Sequence, residues 1–143
     1  MKLSTKGKYG LRAMIDLAVH SENEAVSISS IAQRQKISES YLEQLAGKLK
    51  KAGLIVSTRG AGGGYRLAKP AAEISVGDVL RALEGSLEAV ECDGLKLETS
   101  CEGAGMCVTK YVWKKINDSI ADTVDSIILE ELIEESKKVV ERG

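Results

Sequence analysis

Residues 27–67 decide the fold, and they read SISSIAQRQKISESYLEQLAGKLKKAGLIVSTRGAGGGYRL. Apolar positions recur at helical spacing in two short runs of this stretch. They predict one helix that starts at Ser27 and a second that starts near Ser38, with either Ser38 or Ser40 as its N-cap. The three residues Lys36-Ile37-Ser38 form the turn that separates the two helices.

A β-hairpin follows the helix pair. Gly53 is the expected C-cap of the second helix, and residues 54–58 are short and β-branched, as in a strand. Residues 59–64 form a glycine turn, and residues 65–68 return as the second strand. Two short helices with a three-residue turn and then a glycine-tipped hairpin predict a winged helix-turn-helix, whose second helix enters the major groove of DNA.

Helical patterns flank this unit on both sides. Residues 9–21 predict an N-terminal helix, and residues 75–84 predict a short helix after the wing. From Val108 an apolar stripe predicts one long helix to about Ser136, roughly 42 Å in length. The predicted fold is therefore mainly α with a small β-hairpin wing. It divides into a winged helix-turn-helix domain at 1–87, a cysteine-containing loop at 88–107, and a dimerisation helix with a C-terminal tail at 108–143.

The dimerisation role follows from the apolar side of that last helix, which has no obvious partner in so short a chain. Pairing with the same helix of a second copy would bury it in an isologous homodimer. Such a dimer would present two recognition helices to a palindromic operator. Packing of the helix back onto its own domain is the alternative.

Charge is distributed unevenly along the chain. Residues 1–70 hold 12 Lys/Arg and 5 Asp/Glu, a net of +7, whereas residues 71–143 hold 8 Lys/Arg and 16 Asp/Glu, a net of −8. A basic front half indicates a polyanion partner, although a solvated surface gives the same pattern. No apolar run approaches the roughly 18 residues of a membrane span, and the N-terminus lacks the apolar segment of a signal peptide. We therefore expect no membrane association and a cytoplasmic protein, where thiols stay reduced.

The start of the second helix and the wing supply the candidate DNA contacts. Gln44 can pair with adenine, and Glu43 can accept from cytosine. An Arg beside glycines, as at Arg59, suits a narrow minor groove. The predicted DNA-binding residues are Ser38, Ser40, Tyr41, Glu43, Gln44 and Arg59.

The chain has three cysteines, Cys92, Cys101 and Cys107, all within 16 residues. Three thiols on a short Gly-rich loop suit an iron–sulfur cluster or another soft metal. A zinc site, a thiol redox switch and three unligated cysteines are the alternatives. The chain shows neither a Cys-x-x-Cys pair nor a nucleotide-binding template, and its single histidine is His20. An enzyme or a cluster carrier is therefore not expected.

Three segments of the chain resemble the IscR/NsrR/CymR family of bacterial winged-helix regulators, and they are most similar to its IscR branch. The segments are LSTKGKY at 3–9, ISESYLEQL at 37–45 and RGAGGGYRL at 59–67. The resemblance implies major-groove contacts from Ser38, Ser40, Tyr41 and Gln44, a minor-groove contact from Arg59, and a role for Glu43 in choosing the operator class.

The resemblance also implies a [2Fe–2S] cluster on Cys92, Cys101 and Cys107, in a regulator of cluster-biogenesis genes. The chain departs from the branch at Lys110, which stands where the branch has a histidine ligand. The fourth ligand is open between a residue of the partner subunit and Glu91, Asp93, Glu98, Glu102, a deprotonated Lys110 or His20. Two other sensors of the same family remain alternatives. One is a metal-free, thiol- or metabolite-responsive repressor similar to CymR, and the other is a [4Fe–4S] nitric oxide sensor similar to NsrR.

Overall fold

A computed structural model describes residues 3–60, 62–89 and 108–142 of the chain. Six helices and one two-stranded antiparallel sheet make up this part. The elements in chain order are α1 (Thr5–His20), α2 (Ile28–Gln35), α3 (Glu39–Lys51), β1 (Ile55–Thr58), β2 (Gly64–Leu67), a 3₁₀ turn (Ala71–Glu73), α4 (Val76–Glu84), α5 (Thr109–Ser126) and α6 (Leu129–Arg142).

The helix-turn-helix of α2 and α3 is confirmed, and serine caps define both starts. The hydroxyl of Ser27 accepts from the N–H of Ser30 at 3.2 Å. The hydroxyl of Ser38, rather than that of Ser40, caps α3 by accepting from the N–H of Tyr41 at 3.2 Å. Such caps satisfy N–H groups that have no partner inside the helix.

The wing is also confirmed, with both strands within one residue of their predicted bounds. Strand β1 pairs antiparallel with β2 from Ile55↔Leu67 to Thr58↔Gly64. Gly53, which follows the C-cap residue Ala52, has φ +80 and so allows the chain to leave α3 through the left-handed region. A bridge between Val26 and Tyr65 joins the wing to the loop before α2.

The core is aliphatic and lies among α1, α3, α4 and the start of α6. Its least exposed large side chains are Met14, Leu42, Leu45, Ile74, Val79 and Leu129. Recognition helix α3 therefore rests on the same core that holds α1 and α4. Burial of these side chains removes apolar surface from water, which is the main favourable contribution to folding.

The prediction of one uninterrupted helix after Val108 is wrong, because the chain breaks at Ile127 and Ile128. The N–H of Val76 donates to the carbonyl of Ile127 at 2.8 Å, and the N–H of Leu129 donates to the carbonyl of Ile74 at 2.8 Å. This short bridge replaces helical hydrogen bonds and turns the chain so that Leu129, only 1% exposed, enters the core. Helix α6 then packs back onto its own domain, against α1 and the 3₁₀ turn.

Helix α1 starts at Thr5, four residues before the predicted position. The hydroxyl of Ser4 caps it by accepting from the N–H of Lys6 at 3.1 Å. In the described part of the chain no helix combines the length and the apolar character needed to cross a membrane.

Candidate nucleic-acid interface and cysteine segment

The predicted DNA-binding residues of α3 share its first two turns. Ser40, Glu43 and Gln44 are exposed. Ser38 is also exposed, but its hydroxyl is engaged in capping the helix. The exposed polar face can hydrogen-bond to base edges, because these side chains carry both donors and acceptors.

Tyr41 differs from its neighbours because it is half-buried and tied to α1. Its hydroxyl lies 3.0 Å from Oγ1 of Thr5, within hydrogen-bond distance. Its ring meets the ring of Tyr9 edge-on, with centroids 6.2 Å apart and an interplanar angle of 89°. Tyr41 therefore joins the recognition helix to the first two turns of α1, a role that sequence analysis did not predict.

Arg59 lies on the wing, immediately after β1, and is exposed. The turn that follows it is tight: the N–H of Gly63 donates to the carbonyl of Gly60 at 2.9 Å. A Cβ at Gly63 would lie 2.6 Å from the carbonyl oxygen of Thr58, so only glycine fits there. Behind the wing, Nζ of Lys50 on α3 donates to the hydroxyl of Ser57 on β1 at 2.8 Å.

A buried carboxylate supports the helix-turn-helix from behind. Asp16 of α1, only 4% exposed, accepts from Arg34 of α2 (Nη2–Oδ1 2.7 Å, Nε–Oδ2 2.9 Å) and from Nε2 of Gln35 (3.0 Å). The hydrogen bond to Asp16 raises the pKa of Arg34. Sequence analysis missed this network, although an acid among the apolar residues Ile15 and Leu17 was its visible sign.

The cysteines Cys92, Cys101 and Cys107 lie outside the described residues, as do Glu91, Asp93, Glu98 and Glu102. The residues that flank them are described. On one side, the N–H of Ala89 donates to Oδ1 of Asn117 on α5 at 2.9 Å. On the other side, Val108 is the N-cap residue of α5 and is 75% exposed. Residues 90–107 therefore lie, in the sequence, between the end of α4 and the start of α5.

Two proposed fourth ligands fall within the described part. Nδ1 of His20 lies 2.9 Å from the backbone carbonyl of Asp16. Nζ of Lys110 lies 5.5 Å from the ring centroid of Tyr111. Within residues 3–60, 62–89 and 108–142, no three His, Cys, Asp or Glu side chains are grouped so that they could hold a metal ion.

Helix α5 has two different halves. Its second half packs on the domain: Ile120 and Val124, with Ile127 just after the helix, contact the cluster of Val76, Leu80 and Leu87. Its first half exposes an apolar stripe at helical spacing, formed by Val108, Tyr111, Val112 and Ile116. Among the described residues of the predicted dimerisation segment, this stripe and Val139 of α6 are the large apolar side chains that are exposed.

A winged helix-turn-helix with an exposed polar recognition face defines a DNA-binding transcription regulator. The family model described as Rrf2, iron-dependent transcriptional regulator, matches residues 3–135. The chain belongs to this family.

Individual relatives agree with that assignment. The HTH-type transcriptional regulator IscR of Vibrio vulnificus (strain YJ016) is 43% identical over 139 residues, which are 97% of this chain and 81% of that protein. The solved structure of T. potens IscR has a TM-score of 0.76 and 45% identity, and the match covers 97% of this chain and 90% of that one. The structure of CymR, the global cysteine regulator of B. subtilis, has a TM-score of 0.77 and 41% identity, with 94% and 98% coverage.

Proposed function

We propose that this chain senses iron–sulfur cluster status and controls cluster-biogenesis genes through a [2Fe–2S] cluster on Cys92, Cys101 and Cys107. The observation that carries the proposal is that all three cysteines fall, in the sequence, between α4 and α5 of a chain 45% identical to T. potens IscR. Thiolate sulfur is the donor that iron in such clusters prefers. We place the protein in the cytoplasm, where these thiols stay reduced.

The donor set fits the cluster with one position open. Three thiolates supply three of the four ligands that a [2Fe–2S] cluster takes. When bound, the cluster would add its charge to this segment, and the fraction of chains that carry it would follow the iron–sulfur supply of the cell. Lys110 stands where similar regulators have a histidine, so the fourth ligand comes from a carboxylate among Glu91, Asp93, Glu98 and Glu102, from a deprotonated Lys110, from His20, or from the partner subunit.

The DNA-reading role is assigned to the exposed face of α3 and to the wing. Ser40, Tyr41, Glu43 and Gln44 face the major groove, with Ser38 at the start of the helix. Arg59 reads the minor groove. Glu43 selects among operators, because a carboxylate repels phosphate and accepts from cytosine.

A homodimer completes the proposed regulator. The stripe of Val108, Tyr111, Val112 and Ile116 is the surface that a second copy covers. An isologous contact there repeats the same patch on both subunits. Two recognition helices then read the two halves of a palindromic operator.

The test is iron, sulfide and zinc analysis together with the visible spectrum, on protein purified without oxygen. Two irons and two sulfides per chain, lost in Cys92→Ala, Cys101→Ala or Cys107→Ala, support the proposal. DNA affinity is then measured on the same operators with loaded and cluster-free protein. Identical affinities across all sites would contradict sensing, because a ligand shifts a conformation only through differential affinity.

A second candidate is a metal-free repressor that responds through its thiols or a metabolite. The 41% identity to B. subtilis CymR over 94% of the chain, and Lys110 in place of a histidine, favour it. Absence of metal with three reactive thiols would select this candidate. Four irons per chain would instead indicate a [4Fe–4S] nitric oxide sensor similar to NsrR.

A further inference from the structure

Glu84, the last residue of α4, is bound to the first turn of α1. Its carboxylate accepts from the N–H of Ser4 at 3.0 Å, from the N–H of Gly7 at 3.1 Å and from the hydroxyl of Ser4. Helix α1 has no acidic residue in its own first turn. Glu84 therefore supplies, from about 80 positions along the sequence, the negative charge that a helix N-terminus favours.

Close packing holds this carboxylate in place. A Cβ at Gly7 would lie 3.3 Å from Cγ of Glu84 and 3.3 Å from Cδ2 of Leu80, so α1 and α4 approach closely at this point. Gly7 is buried, and Leu80 is only 3% exposed. The two helices therefore meet without intervening space beside the Glu84 carboxylate.

The same turn of α1 also holds the recognition helix. Thr5, between the two residues that donate to Glu84, lies within hydrogen-bond distance of the hydroxyl of Tyr41. One turn later, the ring of Tyr9 supports the ring of Tyr41. A continuous set of contacts therefore runs from Glu84 through residues 4–9 to α3.

We infer that Glu84 is a positioning residue for DNA recognition. Its hydrogen bonds to Ser4 and Gly7 set the first turn of α1, and that turn sets Tyr41 and the exposed face of α3. Glu84 does not touch DNA; it acts through the tie between Thr5 and Tyr41. The inference rests on the proposed DNA-reading role of α3.

The experiment compares wild type with Glu84→Gln, which keeps the size of the side chain but removes its charge and one acceptor oxygen. The probe is a duplex selected from a random-sequence library by the wild-type protein, with a scrambled duplex of equal length beside it. The specificity ratio, the Kd for the scrambled duplex divided by the Kd for the selected duplex, is measured for each protein. Removal of an acid near DNA changes both affinities together, whereas misplacement of α3 changes only the affinity for the selected duplex. We expect the ratio to fall roughly fivefold in Glu84→Gln, the scale of a lost charge-assisted hydrogen bond that is partly solvated.

The matched control is Asp125→Asn, which removes an exposed carboxylate of α5 that accepts hydrogen bonds from Arg81 of α4. Its specificity ratio stays at the wild-type value. A double-mutant cycle with Tyr41→Phe then separates positioning from loss of stability. In the Tyr41→Phe background, Glu84→Gln changes the ratio by less than about twofold, because the tie through which it acts is already absent.

Two results would overturn the inference. One is an unchanged specificity ratio in Glu84→Gln; the other is a full effect of Glu84→Gln in the Tyr41→Phe background. If wild type selects no duplex, the proposed DNA-reading role fails instead. In that case amide NMR chemical shifts test the positioning role without DNA. Glu84→Gln shifts the signals of residues 40–44 if Glu84 positions α3, and leaves them in place if it does not.

Discussion

The carboxylate of Asp125 on α5 occupies the space that a side chain at Gly77 on α4 would need. A Cβ at Gly77 would lie 1.9 Å from Oδ1 of Asp125 and 2.8 Å from Nη1 of Arg81. That carboxylate accepts from both terminal nitrogens of Arg81, at 2.7 and 2.9 Å. The absence of a side chain at Gly77 thus allows the ion pair that fastens α5 to α4.

Gly77→Ala is expected to destabilise the fold, because the new methyl group displaces Asp125 from Arg81. In an Asp125→Ala background the same change is expected to be neutral or stabilising, since Ala is favoured over Gly in helices by up to about 1 kcal/mol. Urea unfolding of the four proteins measures both effects. Equal destabilisation in the two backgrounds would show that the space beside Gly77 is not limiting.

Asp16→Ala is expected to cost roughly 2 kcal/mol of unfolding free energy, because it leaves Arg34 and Gln35 without their shared acceptor. The control is Asp118→Asn in the exposed pair with Lys114, whose loss is expected to cost less than about 0.5 kcal/mol. Urea denaturation compares the two variants. A cost for Asp16→Ala no greater than that of the control would mean that the network contributes little.

Acid is expected to weaken the attachment of α1 to α4. Hydrogen bonds from Ser4 hold the pKa of Glu84 below its ordinary value of 4.5, with a smaller contribution from the charge of Lys6. The unfolded chain therefore takes up this proton first as the pH falls. The stabilisation is fully present above the unfolded-state pKa and is lost as the pH falls through the folded-state pKa.

The measurement is the unfolding midpoint of wild type and Glu84→Gln between pH 7 and pH 3. The difference between the unfolding midpoints of the two proteins is expected to shrink toward pH 3. The carboxyl of Asp125, whose pKa is also lowered, titrates in both proteins. Lys6 of α1, Lys48 of α3 and Arg81 of α4 are the cationic residues that line the groove beside Glu84. A difference that is constant with pH would contradict the assignment to Glu84.

Tyr111→Asp is expected to convert the proposed homodimer into monomers, because it places a charge in the apolar stripe of α5. Tyr111 is 65% exposed in the single chain, and so is Val139 on α6, which makes Val139→Asp the matched control. Sedimentation equilibrium measures the mass of each protein. Dimeric Tyr111→Asp, or a monomeric control, would assign the contact to a different surface.

Arg59→Ala is expected to weaken binding to a selected duplex by roughly 1–3 kcal/mol, the scale of one specific contact. Lys69→Ala, an exposed cation after β2, is the control and should affect selected and scrambled duplexes equally. Fluorescence anisotropy at fixed salt provides both Kd values. No loss of specific affinity in Arg59→Ala would argue against minor-groove reading by the wing.

The helix-turn-helix and the wing were predictable because their determinants are local. Ser27 and Ser38 cap their helices through neighbouring residues, and Gly53 adopts a positive φ that glycine tolerates. The break at Ile127 and Ile128 was not predictable, because its hydrogen-bond partners lie at residues 74–76, about 50 positions away. Apolar periodicity continues through the break and gives no sign of it.

The candidate site also has one part that was predictable from local sequence and one part that was not. Exposure of Ser40, Glu43 and Gln44 follows from helical spacing once the α3 cap is known. The tie of Tyr41 to Thr5 depends on how α1 crosses α3, which no local pattern encodes. The first turn of α1 was missed for a related reason, since part of its capping comes from Glu84, on a distant element.

The bridge between Ser75 and Ile128 fixes the C-terminal end of α5 on the domain. An 18-residue helix is about 27 Å long, so Val108 lies about that distance from the bridge. The cysteine segment joins the chain at this far end, which also bears the apolar stripe. In the proposed homodimer, the cysteine segment and the contact between the two subunits would therefore share the end of α5 that lies farthest from this bridge.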